Sequence, residues 1–317
     1  QGAAFVSIVS QSPDLLKGID SKRIATFQKA AGTALNKYRQ YVQSDKISWT
    51  VIASPSEAWA EKVFPNLPNE KQVDALWDAI FKATRSDLDN PVEAWTKHND
   101  TLHEKVHYLN AKKYAKLHYT APGTDLTIEL PKGHLWCGAG SVNEKGEEFM
   151  ANMPTEEVFT VPHKDGVNGY VSSTKPLSYG GNIIDNFKIT FENGRITKVE
   201  AEQGEEVLKN LVATDEGSHR LGEVALVPHD SPISNSGLLF YNTLFDENAS
   251  NHLAIGSAYA FCLEGGKKMN REELEANGLN QSITHVDFMI GSAEMNIDGI
   301  TEDGKTEPVF RNGNWAF

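Results

Sequence analysis

The chain changes character near residue 112, and this change limits the folds that it can adopt. Before that point strand-like runs alternate with amphipathic helical patterns, and after it short strand signals separated by glycine and proline dominate. Alternating strands and helices are typical of a parallel α/β sheet, whereas successive short strands favour antiparallel sheets. We therefore predict an α/β plus α+β architecture. A partial N-terminal parallel-sheet α/β domain (1–112) precedes a mostly antiparallel β-rich domain with helices (113–317).

The N-terminal part has the order strand, helix, strand. AFVSIV at 4–9 has the composition of a buried strand, Asp20 offers an N-cap for a helix over 21–42, and ISWTVIAS at 47–54 is a second strand. A strand, a crossover helix and a strand make a βαβ unit, whose two strands are parallel. Three further helices are predicted, one opened by Pro55-Ser56-Glu57, one over 69–84 and one over 90–109.

The C-terminal part carries two strong β signals. Leu126, Ile128 and Leu130 alternate with polar residues, as in a half-buried strand. FKITF and ITKVEA flank Asn193-Gly194, a dipeptide that tolerates the positive φ angles of a type I′ hairpin turn. A helix over 203–213 and a strand over 222–228 are predicted to follow.

Composition excludes several classes of function. The 317-residue chain has a formal net charge of −13, which argues against nucleic acid as the main partner. No apolar run approaches the ~18 residues of a membrane span, so no membrane partner is predicted. Cys137 and Cys262 lie in unlike contexts, which argues against a disulfide framework and fits a reducing, cytoplasmic compartment. Because the chain starts at Gln1 and enters a strand almost at once, we expect a processed chain or a fragment.

Residues 103–107 read HEKVH and match H-E-x-x-H, in which two histidines on one helix bind zinc. The apolar stripe of the predicted helix consists of Val92, Trp95, Asn99, Leu102, Val106 and Leu109. His103 and His107 each follow a stripe residue, so they lie about 100° round the helix and point toward water. No third ligand follows at the usual spacing. We predict that these are surface histidines, and a zincin-type endopeptidase is the alternative.

Two glutamates in strand-like sequence are better candidates for a metal site. NMPTEEVFTVP places Glu156 and Glu157 at adjacent strand positions, so they face opposite ways, and alternation does not decide which one faces inward. LGEVALVP places Glu223 among apolar residues, where a carboxylate is costly unless it is paired or bound to metal. An edge strand with Glu223 in water is the alternative.

The stretch LLFYNTLFDENASNHLAIGSAYAF supplies Glu247 and His252. Its residues 249–260 are small and compatible with a helix, which would place His252 and Tyr259 on one face, two turns apart. Small residues along that helix would imply close packing against a neighbouring element.

The stretch SITHVDFMIGS places His285 and Asp287 on the same face of a strand, and a plain His–Asp hydrogen bond is the alternative. The full candidate set is Glu157 or Glu156, Glu223, Glu247, His252, His285 and Asp287. One catalytic zinc takes about three protein ligands, so this set suits two metals, and mixed carboxylate and imidazole ligands suit Zn, Co or Mn. Two metals about 3.5–4 Å apart are a known arrangement in aminopeptidases.

The C-terminal part resembles the thermophilic metalloaminopeptidase family of aminopeptidase T, aminopeptidase S and PepS. The matching stretches are HYTAPGTDLTIELPKGHLW, NMPTEEVFTVP, LGEVALVPHDSPIS, LLFYNTLFDENASNHLAIGSAY and THVDFMIGS. The resemblance implies a dinuclear site held by Glu157, Glu223, Glu247, His252, His285 and Asp287. It makes Glu223 the bridging carboxylate, places Tyr259 near the metals and puts no ligand in the HEKVH helix. It also implies a homodimer and a longer N-terminal domain than the one present.

The function that this resemblance implies is that of a metal-dependent aminopeptidase acting on peptides with a free N-terminus. A metal-activated water would attack the first peptide carbonyl. Tyr259 would donate a hydrogen bond to the developing oxyanion, and Glu223 is the candidate to carry the proton. A metal-binding but catalytically inactive fragment or homologue is the alternative, suggested by the short N-terminal part.

Overall fold

The structure is a computed structural model that describes residues 3–317. Its strands are β1 (Phe5–Val9), β2 (Trp49–Ala53), β3 (Lys116–Ala121), β4 (Thr124–Glu129), β5 (Cys137–Gly138), β6 (Ser141–Val142), β7 (Glu148–Phe149), β8 (Val158–Thr160), β9 (Val167–Ser172), β10 (Leu177–Tyr179), β11 (Asn182–Glu192), β12 (Arg195–Gln203), β13 (Leu221–Leu226), β14 (His252–Gly256), β15 (His285–Met289), β16 (Asn296–Ile300), β17 (Thr306–Arg311) and β18 (Asn314–Trp315). Its α-helices are α1 (Ser21–Ala34), α2 (Asn36–Gln43), α3 (Glu57–Val63), α4 (Asn69–Ala83), α5 (Pro91–Lys112), α6 (Glu205–Val212), α7 (Pro232–Asn235), α8 (Thr243–Asp246) and α9 (Arg271–Ala276). Among the described residues, no helix is long and apolar enough to cross a membrane.

The first two strands form the predicted parallel pair, since β1 and β2 run side by side with Phe5 opposite Trp49. Their crossover contains two helices where one was predicted, because the chain leaves helical geometry at Leu35, the C-cap of α1. The prediction that β1 is buried is wrong, since Val6 and Ile8 are each 61% exposed. Within the described residues this sheet has two strands, and only the end of β1, at Val9, packs against a core cluster.

The helices α3 and α4 share a hydrophobic cluster with a distant loop of the C-terminal part. Trp59 and Leu76 are fully buried there against Phe240 and Phe245. The Trp59 indole Nε1–H donates to the Phe240 carbonyl at 2.6 Å. This packing fixes the loop that leads into Glu247.

A nine-stranded sheet forms the framework of the C-terminal part, in the order β10-β11-β9-β4-β3-β16-β17-β18, with β12 paired to β11. Leu126 and Ile128 of β4 are fully buried, which confirms the predicted alternation. The β11–β12 hairpin turns at Asn193 and Gly194, whose φ angles are 49° and 78°, as the Asn-Gly sequence predicts.

A second sheet of five antiparallel strands, in the order β15-β14-β13-β8-β5, packs on this framework. One of its faces contributes Val224, Leu253 and Phe288 to the largest hydrophobic core. The ring centroids of Phe288 and Phe187 lie 5.8 Å apart where the two sheets meet. The opposite face of the five-stranded sheet is therefore the one available for polar side chains.

The predicted helix over 249–260 is wrong, because His252–Gly256 is the strand β14, hydrogen-bonded between β13 and β15. The small residues that suggested close helix packing allow a strand to lie between two others. Gly256 has a φ of 116°, and a Cβ at this position would lie 2.2 Å from the Thr284 carbonyl oxygen. Tyr259 follows the strand and does not share a helical face with His252.

Candidate metal centre

Two carboxylates converge on the free face of the five-stranded sheet. Glu223 on β13 and Asp287 on β15 are both cross-strand partners of Ala254 on β14. Directly opposed residues of antiparallel strands project to the same face. Because the residue between them is an alanine, the two acidic side chains have room to lean toward each other. Glu223 is 4% exposed on a central strand, so the alternative of an edge strand in water is wrong.

The two histidines belong to the same face. His252 lies two residues before Ala254 on β14, and His285 lies two residues before Asp287 on β15, opposite Gly256. The i, i+2 spacing places each imidazole on the same face of the sheet as Glu223, Ala254 and Asp287. This confirms the prediction that His285 and Asp287 share one face of a strand.

Glu223 contacts both imidazoles, one with each carboxylate oxygen. Its Oε1 lies 3.5 Å from Nε2 of His252, and its Oε2 lies 3.6 Å from Nε2 of His285. His252 Nε2 is also 3.0 Å from Oε2 of Glu157, and His285 Nε2 is 3.5 Å from Oδ1 of Asp287. The result is two groups of potential ligands, Glu157–Glu223–His252 and Glu223–His285–Asp287, that share Glu223.

Backbone carbonyls hold both imidazoles in one orientation. Nδ1 of His252 lies 3.1 Å from the Ser250 carbonyl, and Nδ1 of His285 lies 2.8 Å from the Ser257 carbonyl. A carbonyl only accepts hydrogen bonds, so each Nδ1 carries the proton and donates it. The remaining nitrogen, Nε2, is then directed toward the carboxylates. Metal-binding histidines are commonly held in this way.

The cluster leaves buried polar atoms without partners, which tests whether it fits a metal. Nε2 of His252 and Oδ1 of Asp287 are buried and make no hydrogen bond of acceptable geometry, although both lie near other ligand atoms. Buried polar atoms are normally satisfied, so two orphans in one cluster call for an additional group. Imidazole nitrogens and carboxylate oxygens are the donor set of Zn and similar divalent metals. The residues therefore fit the cation that the sequence pattern implies.

Glu156 and Glu157 point in opposite directions, as alternation predicts, although both precede the strand β8. Glu157 faces His252, whereas the Glu156 carboxylate pairs with the Arg85 guanidinium at 2.5 and 2.9 Å. The choice that the sequence pattern left open is decided by this ion pair, because it leaves only Glu157 directed to the cluster.

Glu247 lies at the edge of the cluster, in the 3₁₀ turn that precedes β14. It belongs to neither of the two close ligand groups within the described residues. Burial raises the pKa of its carboxyl, and the nearby charges of Asp287 and Glu157 add to the effect. It also lines the cavity that opens onto the site.

The electrostatics are those of a site that needs positive charge. Burial raises the pKa of Glu223 to about 7, with the His252 contact opposing and the Asp287 charge reinforcing the shift. Although burial acts in the other direction, the adjacent carboxylates raise the pKa of His285 to about 9 and that of His252 well above its ordinary value. These shifts follow from several carboxylates that lie close together and away from water.

A wall of aromatic side chains adjoins the cluster of potential ligands. The centroid of the Tyr259 ring lies 4.8 Å from that of His285 and 5.2 Å from that of Phe261, on which it stacks. Phe159 packs edge-on against the rings of Tyr259 and Phe261. These side chains and the cluster line one cavity of about 1320 Å³. Burial raises the pKa of Tyr259, and the charges of Glu223 and Asp287 add to this, so its phenol keeps its proton.

The HEKVH histidines lie outside the ligand cluster. His107 is exposed as predicted, whereas His103 is half-buried and lines the same cavity as the cluster. α5 ends at Lys112 and buries Leu102 and Leu109. The prediction that Val92 belongs to the buried stripe is wrong, because Val92 is 77% exposed. His107 is exposed and its Nδ1 contacts the His103 carbonyl at 2.9 Å, one turn back. Neither histidine belongs to a potential ligand group in the part of the chain that the structure describes.

Sequence reasoning missed the residues that support the ligands. Asn248, Arg85 and His98 surround the segment before Glu157, and the carbonyls of Ser250 and Ser257 orient the histidines. Backbone carbonyls leave no trace in a sequence. Asn248 follows Glu247 directly, and that adjacency is the one signal that could have identified it.

Comparison with known proteins agrees with this geometry. The profile of the family described as thermophilic metalloprotease (M29) matches residues 1–315. Aminopeptidase AmpS of Bacillus subtilis (strain 168) is 73% identical over 316 residues, which cover 100% of this chain and 77% of that protein. Aminopeptidase 2 of Geobacillus stearothermophilus is 56% identical over 317 residues, with the same shares of 100% and 77%.

A solved structure extends the likeness to three dimensions. Wild-type AmpT from Thermus thermophilus superposes with a TM-score of 0.92 at 45% identity, over 100% of this chain and 77% of that one. The match confirms the predicted combination of α/β and α+β architecture. Sequence and structure together show that the chain belongs to the thermophilic metalloprotease family M29.

Proposed function

We propose that the chain is a metal-dependent aminopeptidase that removes N-terminal amino acids from peptides, using a site centred on Glu223. The observation that carries the proposal is the sharing of Glu223 between two imidazole–carboxylate groups, one oxygen to each. The relatives of the chain are named aminopeptidases, which supports the same activity.

Two divalent ions, Zn, Co or Mn, are the proposed cofactors. Glu157, Glu223 and His252 would hold one of them, and Glu223, His285 and Asp287 the other, with Glu223 as the bridging carboxylate. Glu247 would add a ligand from the edge of the cluster. When bound, such a pair of ions supplies an activated water and polarises a carbonyl.

The protein side chains position the substrate and move its protons. Tyr259 keeps its phenolic proton and lines the same cavity as the cluster, so it is the proposed donor to the oxyanion of the first peptide bond. Glu223 touches both ligand groups and is the proposed proton acceptor. Carboxylates that line the cavity would favour the positively charged α-amino group of a peptide, which would restrict cleavage to the first residue.

The proposal extends to the compartment and the oligomeric state of the enzyme. Two free cysteines without a disulfide suit a reducing compartment, so we place the protein in the cytoplasm. The family resemblance supports a homodimer.

The test is hydrolysis of an aminoacyl-p-nitroanilide by the EDTA-treated protein with and without Co²⁺ or Zn²⁺. We expect release of p-nitroaniline that requires metal and is absent for the N-acetylated substrate. Metal binding without release would support the inactive alternative. Release from the N-acetylated substrate would contradict exopeptidase action.

A further inference from the structure

Asn248 connects two segments that each carry a proposed ligand. It is fully buried, and its Oδ1 accepts the Glu156 N–H at 2.7 Å. Its Nδ2 donates to the Leu244 carbonyl at 2.9 Å and lies 3.5 Å from Oε1 of Glu247. One amide therefore ties the residue before Glu157 to the turn that carries Glu247.

The segment before Glu157 is held from its other side by an ion pair. The Glu156 carboxylate accepts hydrogen bonds from both terminal nitrogens of Arg85, at 2.5 and 2.9 Å. This bidentate geometry is strongly directional. Nε2 of His98 contacts the Thr155 carbonyl at 2.7 Å. The side-chain exposures of Arg85 and Glu156 are 15% and 4%, so this pair is largely removed from water.

The turn that carries Glu247 is fixed as well. Asp246 is 2% exposed, and its two carboxylate oxygens accept the N–H groups of Phe240 and Asn242 at 2.8 and 3.0 Å. Neither segment has regular strand pairing at its ligand, since Glu157 precedes β8 and Glu247 precedes β14. The relative placement of the two glutamates depends on the side chains that bridge them.

We propose that Asn248, with the Arg85–Glu156 pair, is a positioning residue that fixes Glu157 relative to Glu247 and so sets the metal affinity of the Glu157–Glu223–His252 group. The inference rests on the proposed function, because it presupposes that this group binds a metal. Loss of a group that orients metal ligands commonly lowers metal affinity about 10–100-fold.

The proposal predicts an unequal effect on the two groups. His285 and Asp287 are adjacent positions on one face of β15, which is paired along its length to β14. Neither of them contacts Asn248 or the Arg85–Glu156 pair through any hydrogen bond or ion pair of the described residues. Removing the amide should weaken the ion held by Glu157 more than the ion held by His285 and Asp287.

The experiment is titration of the metal-free protein with Co²⁺ alone, followed by calorimetry and by visible absorption of the bound ion. The variant Asn248→Ala should bind one ion about 10–100-fold more weakly than the parent and the other ion with a smaller loss, with a changed Co²⁺ spectrum. The double variant Arg85→Met, Glu156→Gln removes both charges together, so that no unpaired charge is buried, and should show the same unequal loss.

The matched control is Asn143→Ala. Asn143 is also buried, with Nδ2 donating to Ser48 and Glu147, but it touches no proposed ligand. It should lower thermal stability and leave both Co²⁺ affinities unchanged.

Equal Co²⁺ binding by the parent and by both test variants would overturn the proposal, as would an equal loss in the control. If Asn248→Ala does not fold, the double variant decides. Failure of the parent to bind Co²⁺ would refute the proposed function, and that result is distinct from parent-like binding by the variants.

Discussion

Glu223 and Asp287 lie on different strands, yet each is the direct cross-strand partner of the same alanine, Ala254. Ala254 is fully buried and small, so it leaves the space between the two carboxylates open. The shape of the proposed metal site therefore depends on the Ala254 side chain, which cannot itself bind a metal.

Replacing Ala254 by leucine should fill this space. We expect the Ala254→Leu variant to lose Co²⁺ binding and more than about 100-fold of its peptidase activity, because extra methylenes in a packed site force side chains from their positions. Metal content of the dialysed protein and p-nitroanilide hydrolysis measure the two effects.

The control for this substitution lies on the other face of the same strand. Leu253→Ala removes a buried core side chain and should lower the free energy of unfolding by about 2–5 kcal/mol. It should retain the bound metal. If Ala254→Leu keeps full metal content, the side chains of Glu223 and Asp287 do not need the space between them.

Mutation can distinguish a metal site at His285 from one at His103 and His107. His285→Ala should remove the metal held with Asp287, whereas the double variant His103→Ala, His107→Ala should keep the parent's metal content. The reason is geometric, since His285 contacts Glu223 and Asp287 while His107 is exposed. Elemental analysis of the purified variants measures the difference. Loss of metal from the double variant alone would favour the zincin alternative.

Metal loading should release protons. In the metal-free protein the pKa of Glu223 is raised to about 7 and that of His285 to about 9, so both groups hold protons near neutral pH that a cation must displace. Apparent metal affinity should therefore rise as the pH rises from 6 to 9, because fewer protons then remain to be displaced.

Calorimetric titration with Co²⁺ at neutral pH, in buffers with different enthalpies of ionisation, counts the released protons. We expect at least about one proton per protein molecule. The His285→Ala variant should release fewer. A binding enthalpy that does not change with the buffer would show that the metal-free cluster holds no displaceable protons.

The sequence predicted the geometry of the ligand cluster where a single strand determines it. His285 and Asp287 share a face because side chains alternate along a strand, and this needs no tertiary information. Glu156 and Glu157 also diverge, although both precede β8, and which of them faces the cluster depends on Arg85, far away in the sequence. The division of the chain at residue 112 stays a prediction.

The prediction failed where tertiary contacts decide the backbone. The small residues of β14 fit a helix or a strand equally well, and hydrogen bonds to β13 and β15 decide between them. For β1 the strand was predicted correctly but its burial was not, because an apolar run does not reveal how many strands will pair beside it. The position of Asn248 between two ligand segments is likewise a consequence of folding.

Tyr259 provides a test of catalysis that leaves the metals in place. Tyr259→Phe removes only the phenolic hydroxyl and keeps the ring that stacks on Phe261 and meets His285. If the hydroxyl donates to the oxyanion, kcat should fall about 10²–10³-fold, as for the loss of other donors of this kind. Metal content and the Co²⁺ spectrum should remain those of the parent. A kcat within a factor of about three of the parent would remove Tyr259 from the mechanism, because a donor to the transition state is worth far more than that.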